Sequence, residues 1–444
     1  MRKFLHTLFA VIWVLCFVLL GVYFVFFTDG KAVFSESENR NLQGIPEFTV
    51  RTYMSGNLDD DTESYLADHI IYRKEAIELY NKIRDKLSLA SYKDSLVMMA
   101  KDNDGLTKKK ESIDKDKVLE EVKKDQHIGT KRVKPQANID DFPDLLTMDL
   151  NVDGEVWSYY YFDKYNVLAL TNVLNRIAAC LPEDGELVFT MVPQAAVGNI
   201  YANAGTRAGF YSYTEDLVEA FGSSNVQAVN ATNILGKYIE KGGYAFFRSD
   251  MHWTPKGTHE VYSEMVKKAG LTPVDLSAFN LQIEEPFLGT YYRDEPTQYM
   301  ADNPDTLELY SPKFNLKWLR CTGPDQFSEI DFLDFNAAFN DRYTVYLGGP
   351  AGPWTYADCD NGLDRNCLVI CDSFGLGFVP QICANYKQVH YYDPRYYDYW
   401  SVGYTVKEMI EKYSISDVYV VIGDLHSYDN GFIIDEVSAQ LGDQ

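Results

Sequence analysis

The sequence predicts an α/β fold, a mainly parallel sheet with flanking helices, preceded by one N-terminal transmembrane helix. Three observations carry this. Short, continuous apolar runs alternate with helix-period segments from Asn151 onward, as in a parallel sheet covered on both faces. One such run, CLVICD, ends at Ser373 and a turn containing Gly375 and Gly377. A long apolar stretch with a basic flank opens the chain.

Taken in order, Leu8 to Phe27 is uninterrupted by any charged group. About 20 residues at ~1.5 Å rise match a bilayer core. Arg2 and Lys3 precede the run and Asp29 follows it, so the positive-inside rule leaves the N-terminus in the cytoplasm and residues 29–444 outside. The run is long for a signal peptide, and Val25-Phe26-Phe27-Thr28 offers no small-x-small cleavage site. The expected localisation is therefore the plasma membrane, single-pass, with the C-terminal domain extracytoplasmic. The domain expectation is residues 1–28 as cytoplasmic tip and anchor, 29–150 as stalk, helical and charged region, and 151–444 as the α/β domain.

Within 29–150, FSESENRNLQGIPEF reads as a polar strap ending in a Gly/Pro break. Tyr53–Leu89 carries Leu66, Ile70, Ile77, Ile83 and Leu87 on a helical stripe. Lys101–Lys134 is dense in charge, the pattern of a solvated face. Beyond Asn151, Asp163–Cys180 reads as a helix stopped by Pro182, and Glu186–Pro193 as a strand. Another helix starts at Thr254-Pro255, with Thr254 as N-cap and Pro255 at its first position. Cys367–Asp372, Gln388–Asp393 and Asp417–Gly423 are three further strands. In such sheets chemistry lies beyond the carboxyl ends of the strands.

The net charge of −24 repels phosphate backbones, so no nucleic acid is expected. Of the seven cysteines, Cys16 lies in the apolar run, and Cys359 and Cys367, flanking a turn-like NGLDRN stretch, form the most plausible disulfide pair. Cys371 reads as a small apolar residue. No CxxC or paired Cys/His spacing suggests a metal, and no cofactor is expected.

The chemistry concentrates in two strings. SDMHWTPKG places Asp250 and His252 two residues apart, so that the carboxylate can orient the imidazole and leave its other nitrogen as base. VICDSFGLG delivers Ser373 to a strand-to-helix turn whose backbone N–H groups, over residues 373–375, could hold an oxyanion. Acid, base and hydroxyl are the parts of nucleophilic acyl transfer. The bland alternatives are a helix-capping serine, a surface aspartate and a histidine packed beside Trp253. His259, further along, reads as part of a solvated helix face. The string HYYDPRYYDYW at residues 390–400 gathers aromatic side chains suited to stacking on sugar rings. Trp253, Tyr396, Tyr397 and Arg395 are accordingly the candidate substrate-binding residues, with Arg395 able either to clamp an anionic group or to pair with Asp393 or Asp398.

These blocks resemble the bacterial DHHW family, which is related to the alginate O-acetyltransferase group of SGNH-like proteins. SDMHWTPKG and VICDSFG match its two signature blocks, and SENRNLQGIPEF with Tyr65–Arg73 matches its N-terminal pattern. The resemblance implies an SGNH-hydrolase-like fold, with Asp250 as acid, His252 as base and Ser373 as nucleophile. Two positions depart from the pattern: Met251 stands for the first His of D-H-H-W, and Cys371 for the Gly of Gly-Asp-Ser. The activity implied is acyl transfer on O-acetyl groups of a cell-surface or exported polysaccharide, with a possible acetyl-donor membrane protein as partner. The alternative is a noncatalytic surface protein that keeps the fold and binds glycan or a partner.

Overall fold

The computed structural model describes residues 137–152, 155–195, 213–294, 296–334, 342–347, 353–397, 402–423 and 435–441, with a few isolated positions before residue 70. The apolar run 8–27, almost all of Tyr53–Leu89, and Lys101–Lys134 lie outside the described residues. Among the described residues no helix is long and apolar enough to cross a membrane.

From residue 145 the chain forms an antiparallel hairpin, β1 (Leu145–Val152) and β2 (Glu155–Asp163). Asp163 then caps α1 (Lys164–Ala179), its carboxylate accepting from the Tyr165 and Asn166 amides at 3.0 and 3.2 Å. These are two of the donors a helix start leaves unsatisfied. Next come β3 (Leu187–Val192), α2 (Thr214–Phe221), β4 (Val226–Ala228) and α3 (Ala231–Glu240). Thr254 caps α4 (Pro255–Lys268) through the Gly257 amide at 3.1 Å, with Pro255 at the first position as the sequence predicts. A second antiparallel pair follows, β5 (Phe279–Phe287) and β6 (Asp305–Pro312), enclosing the short α5 (Thr290–Asp294). Then come β7 (Leu316–Gly323), β8 (Gln326–Ile330), β9 (Trp354–Cys359), β10 (Asn366–Cys371), α6 (Val379–Ile382), β11 (Gln388–Tyr392), α7 (Val406–Lys412) and β12 (Ile415–Gly423), with short helical turns at Gln298–Asp302 and Ser438–Gln440 beside them.

Eight strands form one sheet in the order β8-β7-β9-β11-β10-β12-β3-β4. The five from β11 to β4 run parallel, and β9, β7 and β8 extend the sheet antiparallel. The central strands are buried on both faces, and their side chains alternate between two cores. Leu368 and Ile370 of β10, with Val418, Val420 and Ile422 of β12, face α1, α2 and α7. Cys367, Val369 and Cys371, with Tyr419 and Val421, face α3 and α4. This is the architecture the apolar runs predict: a mainly parallel mixed sheet with helices on both faces.

The disulfide expectation is corrected. Cys359 and Cys367 are both buried free thiols. β9 and β10 are separated by β11 in the sheet. Two strand spacings put their backbones about 10 Å apart, beyond what a disulfide spans.

His390, in the middle of β11, is fully buried, and its Nδ1 accepts from Trp354 Nε1 at 3.2 Å. It stacks on Tyr356 with ring centroids 4.9 Å apart. Burial pushes its pKa down to about 3. The unfolded chain therefore takes up a proton near the ordinary value of 6.5 while the folded chain does not. Stability should fall as pH drops from 6.5 toward 3, and His390→Gln, which keeps an acceptor for Trp354, should flatten that slope. Urea melts across that range measure it.

Candidate active site

Residues 245–254 fold into a tight loop ahead of α4. Phe246 and Trp253 form an antiparallel bridge, the Thr254 amide donates to the Ala245 carbonyl at 2.8 Å, and the Phe247 amide to the His252 carbonyl at 3.2 Å. Between them the chain bends, and Asp250 folds back on residue 252. Its Oδ1 accepts from the His252 amide at 2.9 Å and from the ring Nδ1 at 2.6 Å. The pair is brought together by a turn, where the sequence spacing alone pointed to an extended or irregular segment.

Ser373 stands at the carboxyl end of β10 and opens a 3₁₀ turn over Ser373–Gly377. Asp372, fully buried, caps that turn through the Phe374 amide at 2.9 Å and ties it to the end of β12 through the Gly423 amide at 2.8 Å. Gly375 makes room for Cys371: a Cβ at residue 375 would lie 2.2 Å from the Cys371 Sγ. The thiol thus fills space that the glycine four residues on leaves open, and the departure from a Gly at position 371 is accommodated.

The two segments meet. Ser373 Oγ lies 2.8 Å from His252 Nε2, completing the chain Asp250–His252–Ser373 across 121 residues of sequence. A carboxylate can only accept, so Nδ1 carries the proton and Nε2 offers its lone pair to the serine hydroxyl. Asp250 and His252 are buried, whereas Ser373 is only half-buried. Burial alone would raise the Asp250 pKa. The adjoining imidazole and the hydrogen bonds from His252 and Thr290 outweigh it and hold the carboxyl below its usual range. The ring of Tyr343 stacks on His252 at 3.8 Å with the planes only 7° apart. This is a geometry for general-base activation of a hydroxyl.

Other expected site residues have different places. Trp253 is corrected as a substrate-binding residue: its indole is 0% exposed, and Nε1 donates to the Phe374 carbonyl at 3.0 Å. It joins the histidine loop to the serine turn and has no surface to offer a ligand. The oxyanion expectation narrows. The Phe374 amide is committed to the Asp372 side chain and the Gly375 amide to the Asp372 carbonyl at 3.0 Å. Of the amides of residues 373–375, that leaves the Ser373 amide as the one not held by Asp372. Arg395 pairs with buried Asp393, Nη2 to Oδ2 at 2.7 Å and Nε to Oδ1 at 3.0 Å. Tyr396 is 55% exposed, with the Arg395 guanidinium 5.5 Å from its ring centroid, and Tyr397 is half-buried edge-on to Tyr392. These three leave β11 at the same edge of the sheet from which β10 delivers Ser373. His259 lies 2.9 Å, through Nδ1, from the buried Gln381 Oε1. Among the described residues no cluster of three or more His, Cys, Asp and Glu could hold a metal ion.

Sequence reading missed several supports. Thr290 donates to Asp250 Oδ2 from both its amide, at 2.7 Å, and its hydroxyl, at 2.9 Å. Buried Asp305 accepts from the amide and hydroxyl of Ser249 at 2.8 and 2.5 Å, from the Arg248 amide, and from the Tyr244 hydroxyl. Tyr343 gave no signal either, because nothing in the string DRYTVY marks a ring that will meet His252.

Trp253→Phe keeps an aromatic ring, removes the donor to the Phe374 carbonyl and leaves part of the indole's space empty. It should cost about 2–4 kcal/mol, the unpartnered carbonyl and the cavity together. Chemical denaturation against wild type measures this loss.

Comparisons agree with this fold. The structure is similar to a DHHW family protein from Eubacterium siraeum, at 19% identity and a TM-score of 0.52, covering 71% of this chain and 97% of that one. It is also similar to Bacillus cereus PatB1, at 16% identity and a TM-score of 0.50, covering 66% and 100%. The O-acetyltransferase domain of Pseudomonas putida AlgJ matches at 16% identity and a TM-score of 0.33, covering 62% and 89%. No curated protein matches the sequence. The DHHW protein family matches residues 113–392, more than half of the chain. With both signature blocks converging in one hydrogen-bonded chain inside that span, this protein belongs to the DHHW family.

Proposed function

We propose that this chain is a serine acyl-transfer enzyme acting on O-acetyl groups of cell-surface or exported carbohydrate. The observation that carries the reading is the 2.8 Å contact between Ser373 Oγ and His252 Nε2, with Asp250 2.6 Å behind the ring. In the first half-reaction the Ser373 oxygen attacks the acetyl carbonyl carbon while its proton passes to Nε2. The carbonyl oxygen takes the negative charge within reach of the Ser373 amide. Collapse expels the alcohol, which takes the proton from the imidazolium, and leaves acetyl-Ser373. In the second half-reaction a sugar hydroxyl or water attacks that ester, with His252 again as base. A sugar acceptor makes the enzyme a transferase, and water makes it an esterase. Family membership supports the choice of acetyl, because the DHHW pattern resembles the alginate O-acetyltransferase group. Exposed Tyr396 at the same sheet edge supports a sugar ring as acceptor. The N-terminal apolar run supports an anchor that leaves the enzyme outside the plasma membrane, beside a membrane protein supplying the acetyl group.

The full chain should hydrolyse 4-nitrophenyl acetate, and phenylmethylsulfonyl fluoride should modify Ser373, detected by mass spectrometry. Ser373→Ala and His252→Ala should each lower turnover by a factor on the order of 10³ or more. Added oligosaccharide that becomes acetylated identifies the transferase. An unmodified Ser373, under conditions that label a known serine esterase, moves the assignment to a noncatalytic surface protein. On intact cells, external protease should digest the region after residue 29 while the N-terminus is retained. Release of a mature protein beginning near Thr28 counts against the anchor.

A further inference from the structure

We propose that Thr290 is a positioning residue for this site, its hydroxyl and amide together fixing the Asp250 carboxylate in the orientation that holds His252 toward Ser373. The inference rests on the acyl-transfer reading above and extends it to a part of the chain outside both signature blocks.

Asp250 is fully buried, so its oxygens have no water to turn to. Oδ1 is occupied by His252, through amide and ring. Oδ2 is occupied by Thr290, through amide and hydroxyl, at 2.7 and 2.9 Å. The two oxygens are thus held from opposite directions, one by the histidine it orients and the other by a segment 40 residues on. Four hydrogen bonds on one carboxylate define its plane. With Oδ2 released, rotation about the Cβ–Cγ bond would move Oδ1 off the line of Nδ1 and take the imidazole with it. Hydrogen bonds to an ionised group are about twice as strong as neutral ones.

The segment is built to reach this place. Gly289 lies so close to the acid that a Cβ there would stand 2.2 Å from the Asp250 Cβ and 2.3 Å from Oδ2, so no larger residue fits without moving the carboxylate. The Gly289 amide donates to Ser249 Oγ at 3.1 Å and the Tyr292 amide to the Ser249 carbonyl at 3.2 Å. Ser249 is itself held by Asp305. Thr290 is 5% exposed, so water cannot replace its hydroxyl. A side chain needed only for packing would not have to present an oxygen to the acid.

The test compares the full chain carrying Thr290→Val, Thr290→Ser and Thr290→Ala with wild type. Valine keeps the shape and loses the hydroxyl, and serine keeps the hydroxyl and loses the methyl. The Thr290 amide still holds Oδ2 in every variant, so a partial loss is expected, about tenfold for one charge-assisted hydrogen bond. Thr290→Val should slow sulfonylation of Ser373 about tenfold. It should lower kcat for 4-nitrophenyl acetate by a similar factor and leave KM unchanged. Thr290→Ser should stay within about threefold of wild type. Should the valine variant fail to fold, alanine against serine makes the same comparison, since both lack the methyl and only alanine lacks the hydroxyl. Labelling of Thr290→Val or Thr290→Ala as fast as wild type overturns the proposal and leaves the acyl-transfer reading standing. So do losses that follow melting temperature equally in the serine and hydroxyl-free variants. A wild-type Ser373 that resists labelling overturns the acyl-transfer reading itself, and this inference with it.

Discussion

A carboxylate shut away from water must have its lone pairs met by protein, and Asp250 imposes that requirement on two separate parts of the chain. The loop at 245–254 supplies the His252 donors, and the segment after β5 supplies those of Thr290. Through the imidazole the demand reaches Ser373 at the end of β10. The hairpin β5–β6 gains a reason from this. It stands apart from the eight-stranded sheet, yet α5 begins between its strands and Asp305 opens its second one. Those two points brace the acid and the residue before it. The same strand pair also adds Phe287, Leu307 and Leu309 to the core, so it packs the sheet and braces the acid at once.

The parallel half of the sheet was legible in the sequence because its strands are buried on both faces and therefore read as unbroken apolar runs. CLVICD, QVHYYD and DVYVVIG could hardly be anything else between turn signals. The helix starts at Lys164 and Pro255 were legible because Asp163 and Thr254 cap them in the expected way. The antiparallel strands were not. In β5, residues such as Leu281 and Ile283 face solvent beside Glu284 and Glu285, so neither alternation nor a continuous run marks the strand. At the site, the three residues of the hydrogen-bonded chain were visible through short-range strings and family resemblance. Thr290 was not, because the string LGTYYR holds nothing that distinguishes a threonine bound to a distant aspartate from a helix cap. Trp253 misled because a tryptophan beside a histidine reads equally as platform or as strut, and burial alone decides between them.

Asp372 sets the other half of the site. By accepting from the Phe374 and Gly423 amides, it fastens the serine turn to the neighbouring strand. The same bonds withdraw Phe374 from any role toward a ligand. The turn is rigid at the expense of donors, and Ser373 keeps its own amide. Arg395 shows a similar trade at the next strand end, where its fork is spent on Asp393. The carboxyl end of the sheet is thereby polar and already hydrogen-bonded, which is the condition under which fixed dipoles act without reorganising.

The four buried thiols, Cys359, Cys367, Cys371 and Cys383, are all free. Burial pushes Cys367, Cys371 and Cys383 well above the ordinary thiol range, away from the thiolate that oxidants attack. Each lies in a packed core among aliphatic and aromatic neighbours. Among the described residues the fold therefore stands on packing and hydrogen bonds, with Cys383 and Cys359 in contact as free thiols. Their burial ties thiol reactivity to the opening of the core, so a reagent reaches them only where the packing has come apart.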